Sequence, residues 1–156
     1  MSPYVKRVRD RVGHDLLLLP GVTAVIQHGD RFLVARQRDS GLWGLIGGGI
    51  EPGEEPADAV EREVFEELGV RPSIVRIIGA YGGAGLISTY PNGDEVAYVT
   101  VAYECRIPSG IGLVLEQDEL IETAWMRAEE IRSLPRHEWI DRVIADVQCN
   151  VPETLS

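Results

Sequence analysis

Short runs of apolar and β-branched residues recur along the chain and predict a structure rich in β-strands. In several runs apolar and polar positions alternate, which is typical of strands with one buried face. The predicted strands are residues 22–27, 31–36, 73–81, 86–90, 95–107 and 121–126. Turn sequences rich in Gly, Pro, Asn and Asp separate them at residues 28–30, 82–85 and 91–94.

One segment between these strands has a helical pattern. In residues 56–68, apolar side chains recur at three- and four-residue intervals and form one stripe. These residues are Ala57, Val60, Val64 and Leu68. Pro56 suits the first turn of a helix and Gly69 suits the position just past its end. Before it, residues 40–53 are rich in glycine and are expected to form a loop.

Three more helices are predicted near the ends of the chain. Residues 3–14 carry Tyr4, Val5, Val8 and Val12 at helical spacing, which indicates a short amphipathic helix. Residues 129–134 and 136–147 are predicted helices split by Pro135, and the tail after Asn150 is expected to be loose. Mixed strands with one central and one terminal helix indicate an α+β or α/β sandwich.

Length and cysteine content favour one ordinary globular domain over residues 1–156, with residues 1–19 as a helix and lead-in outside its common core. The chain has 156 residues, enough to bury a sizeable core without a disulfide. Cys105 and Cys149 lack metal-binding spacing, and we expect two buried free thiols rather than a disulfide. Acidic residues and Pro20 interrupt the signal-peptide-like start, so we expect a cytoplasmic protein.

Net charge narrows the range of partners. The formal net charge is −10, with 25 acidic against 15 basic residues. Nucleic-acid polymers and anionic membranes need a basic surface, so we expect neither as the main partner. If the substrate is itself an anion, a divalent cation is expected to bridge it to this acidic protein.

Acidic residues concentrate in and before the central helix. Residues 51–67 hold eight acids and one base, Arg62. On a helix, Glu63, Glu66 and Glu67 share one face, where like charges repel. Three such carboxylates suit Mg²⁺ or Mn²⁺, hard ions that prefer oxygen ligands. Arg62 is expected to point to a different sector of the helix from Glu66 and to hold Glu54 in the preceding loop through a bidentate ion pair.

The order of these residues resembles the Nudix box, the signature of the Nudix hydrolases. The box reads Gly, five residues, Glu, seven residues, Arg-Glu, aliphatic, any residue, Glu-Glu, any residue, Gly, aliphatic. Residues 48–70 match every fixed position, at Gly48, Glu54, Arg62, Glu63, Val64, Glu66, Glu67, Gly69 and Val70. The flanking strands and the Trp125 strand end extend the resemblance to about residues 20–147. One departure is Ile46, where the family commonly has proline.

The resemblance implies an α/β/α sandwich around a mixed sheet, with the box as a loop-helix-loop. It also implies Mg²⁺- or Mn²⁺-dependent hydrolysis of a nucleoside diphosphate linked to another group. Glu63, Glu66 and Glu67 are the implied metal ligands, and Glu54 with Arg62 is the implied brace between loop and helix. Glu119, six residues before Trp125, is the implied additional carboxylate, for which Glu116 or Asp118 could substitute. The general base is Glu119 or one of the box glutamates.

The sequence is compatible with more than one class of substrate. The two favoured readings are a nucleoside triphosphate, including an oxidised one, and a nucleotide sugar. An ADP-ribose substrate is less favoured, because residues 82–90 lack the proline that ADP-ribose hydrolases often carry. Four aromatic side chains are candidates for stacking on a base. They are Phe32, Trp43, Tyr81 and Tyr90.

A different class of function is also conceivable for this fold. A non-catalytic Nudix domain that senses nucleotides is the alternative to an enzyme, although such domains have degenerate boxes and this box is intact. The N-terminal helix and Trp139 are candidate contacts of a homodimer.

Overall fold

Helices lie on both faces of a mixed β-sheet in the computed structural model, which describes residues 2–149. The helices are α1 (Pro3–Val12), α2 (Pro56–Leu68), α3 (Ala128–Ile131) and α4 (Ile140–Cys149). The strands are β1 (Leu17–His28), β2 (Arg31–Gln37), β3 (Trp43–Gly44), β4 (Ile46–Gly49), β5 (Ser73–Tyr81), β6 (Ile87–Thr89), β7 (Glu95–Arg106) and β8 (Leu120–Arg127). A 3₁₀ turn, Ala84–Leu86, leads into β6.

The sheet is mixed because its two longest strands run parallel. Strand β1 pairs with β7 from Leu17↔Val96 to Ile26↔Cys105. The other ladders within residues 2–149 are antiparallel: β1 with β2 and β4, β2 with β3 and β8, and β7 with β5 and β6. Strand β1 therefore contacts β2, β4 and β7, and it lies at the centre of the structure.

Alternation along β1 divides the core into two layers. Val22, Ala24 and Ile26 pack on one side with the apolar stripe of α2. Val25 packs on the other side with α3 and α4, whose apolar residues fill the second core. Since successive side chains of a strand point to opposite faces, one strand supplies both cores. The α/β/α sandwich implied by the resemblance is confirmed.

Most predicted elements appear close to their expected positions, and two differ for clear reasons. Helix α2 spans residues 56–68 as predicted. The glycine-rich stretch contains two short strands, β3 and β4, because its small residues fit against β2 and β1. The last helix begins at Ile140 rather than at 136. Trp43 binds the preceding segment, accepting a hydrogen bond from the amide of His137 and donating one to the carbonyl of Pro135.

Helix α1 is not held by its apolar stripe. Ser2 caps it by accepting a hydrogen bond from the amide of Val5, and it ends before Gly13. Tyr4 and Val12 remain exposed, whereas Arg9 is the buried residue of the helix. None of the helices within residues 2–149 has both the length and the apolarity to cross a membrane. Both cysteines are free thiols; Cys105 is buried as predicted, but Cys149 is exposed because it is the last residue of α4. The tail predicted after Asn150 lies outside the described residues.

Candidate active site

Two glycines of β4 bring the backbone close to helix α2. Gly47 pairs with Thr23 and Gly48 with Val22 in the β1–β4 ladder. A Cβ atom on Gly47 would lie 2.3 Å from the carbonyl oxygen of Val22. One on Gly48 would lie 2.3 Å from the carboxylate of Glu63. Glycine is therefore required for space at position 47, where the obstacle is backbone, and Gly48 places the strand directly against the first acidic side chain of the cluster.

The box arginine links the loop, the helix and two of the acids. Arg62 Nε donates to Glu54 Oε2 at 2.8 Å, and Arg62 Nη2 donates to Glu54 Oε1 at 3.0 Å. This bidentate bond lowers the pKa of the Glu54 carboxyl. Arg62 Nη1 reaches Glu63 at 3.0 Å and Glu66 at 3.3 Å. The predicted brace pair is thus in direct contact. The expectation that Arg62 points away from Glu66 is wrong, because residues four apart on a helix are neighbours and the guanidinium reaches both Glu63 and Glu66.

Three carboxylates gather where α2 faces the sheet. Glu67 is only 6% exposed, although it carries a carboxylate, because it lies on the packed side of α2. Burial raises its pKa to about 9, and the neighbouring charges of Glu63 and Glu119 contribute to the shift. Burial also raises the pKa of Glu63 to about 7, against the opposing effect of Arg62. The side chain of Glu119 adds to this rise in the pKa of Glu67, and the backbone of Gly47 opposes it.

The loop before β8 carries Glu119 to this cluster. The amide of Glu116 donates to the carbonyl of Glu67 at 3.0 Å, and the amide of Glu119 donates to the carbonyl of Glu116. Arg38 donates its amide to the carbonyl of Glu119 at 2.8 Å. Of the three loop acids considered, Glu119 is the one whose charge acts on Glu63 and Glu67, whereas Glu116 bonds to the amide of Asp118.

The three predicted metal ligands differ in how far they are exposed to solvent. Glu66 is half-exposed and lies against Arg62, away from the buried Glu67. Among residues 2–149, no three acidic, histidine or cysteine side chains form a ready-made metal-binding group. The donor set nevertheless fits a hard divalent cation, because clustered, poorly solvated carboxylates ionise only when positive charge is supplied. The roles of Glu63, Glu66 and Glu67 as metal ligands and of Glu119 as the additional catalytic carboxylate stay predictions.

A groove opens beside the two β4 glycines. Its lining includes three aromatic residues, Tyr90, Tyr98 and Trp139, and the polar side chains of Gln37 and His137. Burial raises the pKa of the Tyr90 and Tyr98 hydroxyls, and each of the two hydroxyls also affects the pKa of the other. The charges of Glu63 and Glu119 act on Tyr98 as well, so the groove adjoins the carboxylate cluster.

A side-chain pair fixes the orientation of one polar group in the groove. Nε2 of His137 lies 2.8 Å from Oε1 of Gln37. Burial lowers the pKa of His137, so its imidazole is neutral at pH 7. With the proton on Nε2, His137 donates to Oε1 of Gln37. The amide nitrogen of Gln37 then remains available as a donor to a ligand.

The candidate stacking residues separate into two groups. Tyr90 lines the groove, as a stacking role would require. Trp43, Tyr81 and Phe32 are instead buried in the second core, and the Tyr81 hydroxyl donates to Asp146 at 2.6 Å. The geometry therefore offers no support for substrate contact by these three. Ile46 is fully buried and pairs with Ala24, so the family's usual proline is replaced here by a core residue.

Sequence reasoning missed Tyr98, Gln37 and His137, and it gave Trp139 a different role. Tyr98 was detectable, because Val96, Tyr98 and Thr100 alternate along β7 and share one face of the sheet. Gln37 and His137 are 100 residues apart in sequence and only the folded chain brings them together. Trp139, proposed for a dimer contact, lines the groove.

This chain is similar to a known protein family and to several proteins with names. The family model described as NUDIX domain matches residues 17–147. A MutT-like protein of Streptomyces ambofaciens is 30% identical over 131 residues, covering 84% of this chain and 77% of the relative. The nucleoside triphosphatase NudI of Salmonella arizonae is 31% identical over 117 residues, covering 70% of this chain and 82% of the relative.

Solved structures show the same fold at lower identity. A UDP-X diphosphatase superposes with a TM-score of 0.67 at 19% identity, covering 97% of this chain and 73% of that one. The MutT protein of Methanosarcina mazei superposes with a TM-score of 0.67 at 21% identity, covering 88% and 99%. An ADP-ribose pyrophosphatase of Streptococcus suis gives 0.66 at 20% identity, covering 88% and 96%.

Proposed function

This chain belongs to the Nudix family of hydrolases, and from that premise we propose that it hydrolyses nucleoside triphosphates to a nucleoside monophosphate and pyrophosphate. Action on phosphoanhydride bonds follows from the family. The choice of triphosphates is the proposal. Relatives about 30% identical bear the name nucleoside triphosphatase, whereas the neighbours named for UDP-X or ADP-ribose are 19–20% identical and share the fold.

The groove beside the carboxylate cluster carries the proposal. Among the described residues that line it there is no lysine or arginine, and its polar groups are neutral amides, hydroxyls and an imidazole. Such a lining suits an uncharged, planar, hydrogen-bonding group, which a nucleobase is. Tyr90 and Trp139 offer aromatic surface for stacking. The phosphates would then extend past Gly47 and Gly48 towards the acids.

The carboxylates would hold the cofactor and handle the proton. Glu63 and Glu67 would bind the cation, with Glu66 at its exposed side. Mg²⁺ or Mn²⁺, when bound, would neutralise phosphate charge and make a coordinated water more acidic. Arg62 keeps Glu63 in place through their 3.0 Å contact.

Hydrolysis requires a water molecule to attack one phosphorus while the bridging P–O bond breaks. The water's proton passes to a carboxylate acting as general base. We assign this role to Glu119, because it is exposed on its loop whereas Glu67 is almost fully buried. Pyrophosphate leaves with the electrons of the broken bond.

A substrate panel tests the proposal. The purified chain is incubated with Mg²⁺ and, separately, nucleoside triphosphates, 8-oxo-dGTP, a nucleotide sugar and ADP-ribose, and the products are separated by ion-exchange chromatography. Triphosphates should give monophosphate and pyrophosphate at the highest kcat/KM. Preferred cleavage of the sugar nucleotides would contradict the choice of substrate. Binding without turnover of any compound would favour the sensing role instead.

Two matched substitutions on helix α2 test whether the carboxylate cluster is needed for activity. Glu67→Gln should abolish turnover, whereas Glu61→Gln, on the exposed side of the same helix, should leave it unchanged. The homodimer and the cytoplasmic location stay predictions. Analytical ultracentrifugation tests the first of these.

A further inference from the structure

Helix α1 lies outside residues 17–147, the part of the chain that matches the family, yet a buried arginine fastens it to the domain. Arg9 is 8% exposed. Its Nη1 donates to the carbonyls of Gly13, at 3.1 Å, and Asp15. Its Nη2 donates to the carbonyl of Glu95 at 2.7 Å, and its Nε lies 3.7 Å from Oδ2 of Asp94. One guanidinium thus joins the N-terminal segment to the start of β7.

Asp94 organises the turn that Arg9 contacts. Its carboxylate is buried, accepts a hydrogen bond from Nδ2 of Asn92 at 3.1 Å and lies 2.6 Å from Nδ1 of His14. Its amide donates to Oδ1 of Asn92 at 3.0 Å. The backbone of the turn closes on the same residue, because the amide of Tyr90 donates to the carbonyl of Asp94 at 2.8 Å. The conformation of residues 90–95 therefore depends on how Asp94 is held.

Tyr90 connects this turn to the groove. It is the first residue of the turn, and its side chain lines the groove together with that of Tyr98. Tyr98 packs against Gly21, where a Cβ atom would lie 3.2 Å from the tyrosine ring. A shift of the turn would accordingly move the Tyr90 side chain and change its position relative to Tyr98 in the lining of the groove.

We propose that Arg9 is a positioning residue for the groove, which fixes Tyr90 against the bound nucleobase through Asp94 and the backbone of residues 90–95. The proposal rests on the proposed function, since it assumes that a nucleobase occupies the groove. Helix α1 is then part of the substrate-binding apparatus. A merely structural Arg9 would fasten the helix without affecting substrate binding.

The two roles differ in how they affect KM and kcat. Arg9→Ala should raise KM about tenfold while kcat stays within about twofold, because the carboxylate cluster is not moved. Arg11→Ala, an exposed arginine on the same helix, should leave both constants unchanged. Unchanged KM in a folded Arg9→Ala protein would overturn the proposal, as would a fall in kcat without a rise in KM.

A double-mutant cycle tests whether Arg9 acts through Tyr90. In a Tyr90→Ala background, Arg9→Ala should raise KM less than about twofold, since the side chain it positions is gone. An equal rise in KM with and without Tyr90 would show that Arg9 acts by another route. Circular dichroism melts establish that each variant is folded. If Arg9→Ala does not fold, Arg9→Lys replaces it. Arg9→Lys should still raise KM about threefold, because a lysine ammonium cannot reach all the carbonyl groups that the guanidinium of Arg9 binds. An unchanged KM would overturn the proposal.

Binding can be measured without turnover, which separates this inference from the proposed function. Adenosine and uridine monophosphates are titrated against the protein while the fluorescence of Trp139 is followed, with Trp139→Phe as the control for the signal. Arg9→Ala should raise Kd about tenfold. If the substrate panel shows no triphosphate hydrolysis but this shift in Kd appears, the proposed function fails and the role of Arg9 stands. An unchanged Kd contradicts the role of Arg9.

Discussion

Replacing Gly48 by alanine is a direct perturbation of the carboxylate cluster. The added Cβ atom would lie 2.3 Å from Cδ and Oε1 of Glu63 and 2.6 Å from Oε2, whereas ordinary contacts begin near 3.4 Å. The backbone at Gly48 is fixed by its pairing with Val22, so the side chain of Glu63 must move. The displacement needed is roughly 1 Å, the difference between these distances.

The structure predicts a large loss of activity with little loss of stability. A misplacement of about 1 Å in a catalytic group costs about 100-fold in rate, which is about 2.7 kcal/mol of activation free energy. The clash involves the end of a flexible side chain, so the fold can accommodate it. We expect the free energy of unfolding to fall by no more than about 1 kcal/mol.

Neighbouring glycines supply matched controls. A Cβ atom on Gly47 would lie 2.3 Å from a backbone oxygen, that of Val22, so Gly47→Ala should lower the melting temperature strongly. One on Gly49 would have its nearest neighbour, the carbonyl of Pro20, at 4.0 Å, so Gly49→Ala should keep both activity and stability. Steady-state kinetics with Mg²⁺ and thermal unfolding measure the three variants. A Gly48→Ala protein with wild-type kcat/KM would refute the placement of Glu63.

Three further outcomes are expected. Arg62→Lys should lower kcat/KM about tenfold in steady-state assays, because lysine cannot make the two parallel bonds to Glu54; wild-type kinetics would speak against the brace. Without metal, the melting temperature should fall from pH 5.5 to pH 8, and Mg²⁺ should restore it. The pKa of Glu67 is raised to about 9 in the folded chain, so in this pH range the folded chain keeps a proton that the unfolded chain releases, and stability falls as the pH rises. A melting temperature that does not change with pH would contradict the raised pKa. Gln37→Ala and His137→Ala should each raise KM about tenfold with kcat nearly unchanged, and a loss confined to kcat would place the pair outside the groove.

Local patterns predicted the central helix and most strands, because each depends on nearby residues. The bounds of α2 follow from an apolar stripe, a proline at its start and a glycine past its end. The contact between Glu54 and Arg62 could also be anticipated, since only seven residues lie between them in the sequence. Strands β3 and β4 could not be anticipated, because they form only by pairing with β2 and β1 in the folded chain. The glycines allow this pairing but do not predict it.

The groove was the least predictable feature for the same reason. Gln37 and His137 come from opposite ends of the domain, and neither stands in a distinctive local pattern. Sequence spacing put Glu63, Glu66 and Glu67 on one helix face, but it did not indicate how far each is buried. Packing against the sheet separates the almost inaccessible Glu67 from the half-exposed Glu66, a difference that the helical period alone cannot give.

Binding of Mn²⁺, followed by electron paramagnetic resonance in the absence of nucleotide, tests most directly whether the clustered carboxylates hold a divalent cation. The wild-type chain and Glu61→Gln should bind the ion with equal affinity. Glu67→Gln should bind it at least about tenfold more weakly, since it removes a charged oxygen donor from the buried side of the cluster. Equal affinity in all three proteins would contradict the assignment of this cluster as the metal site.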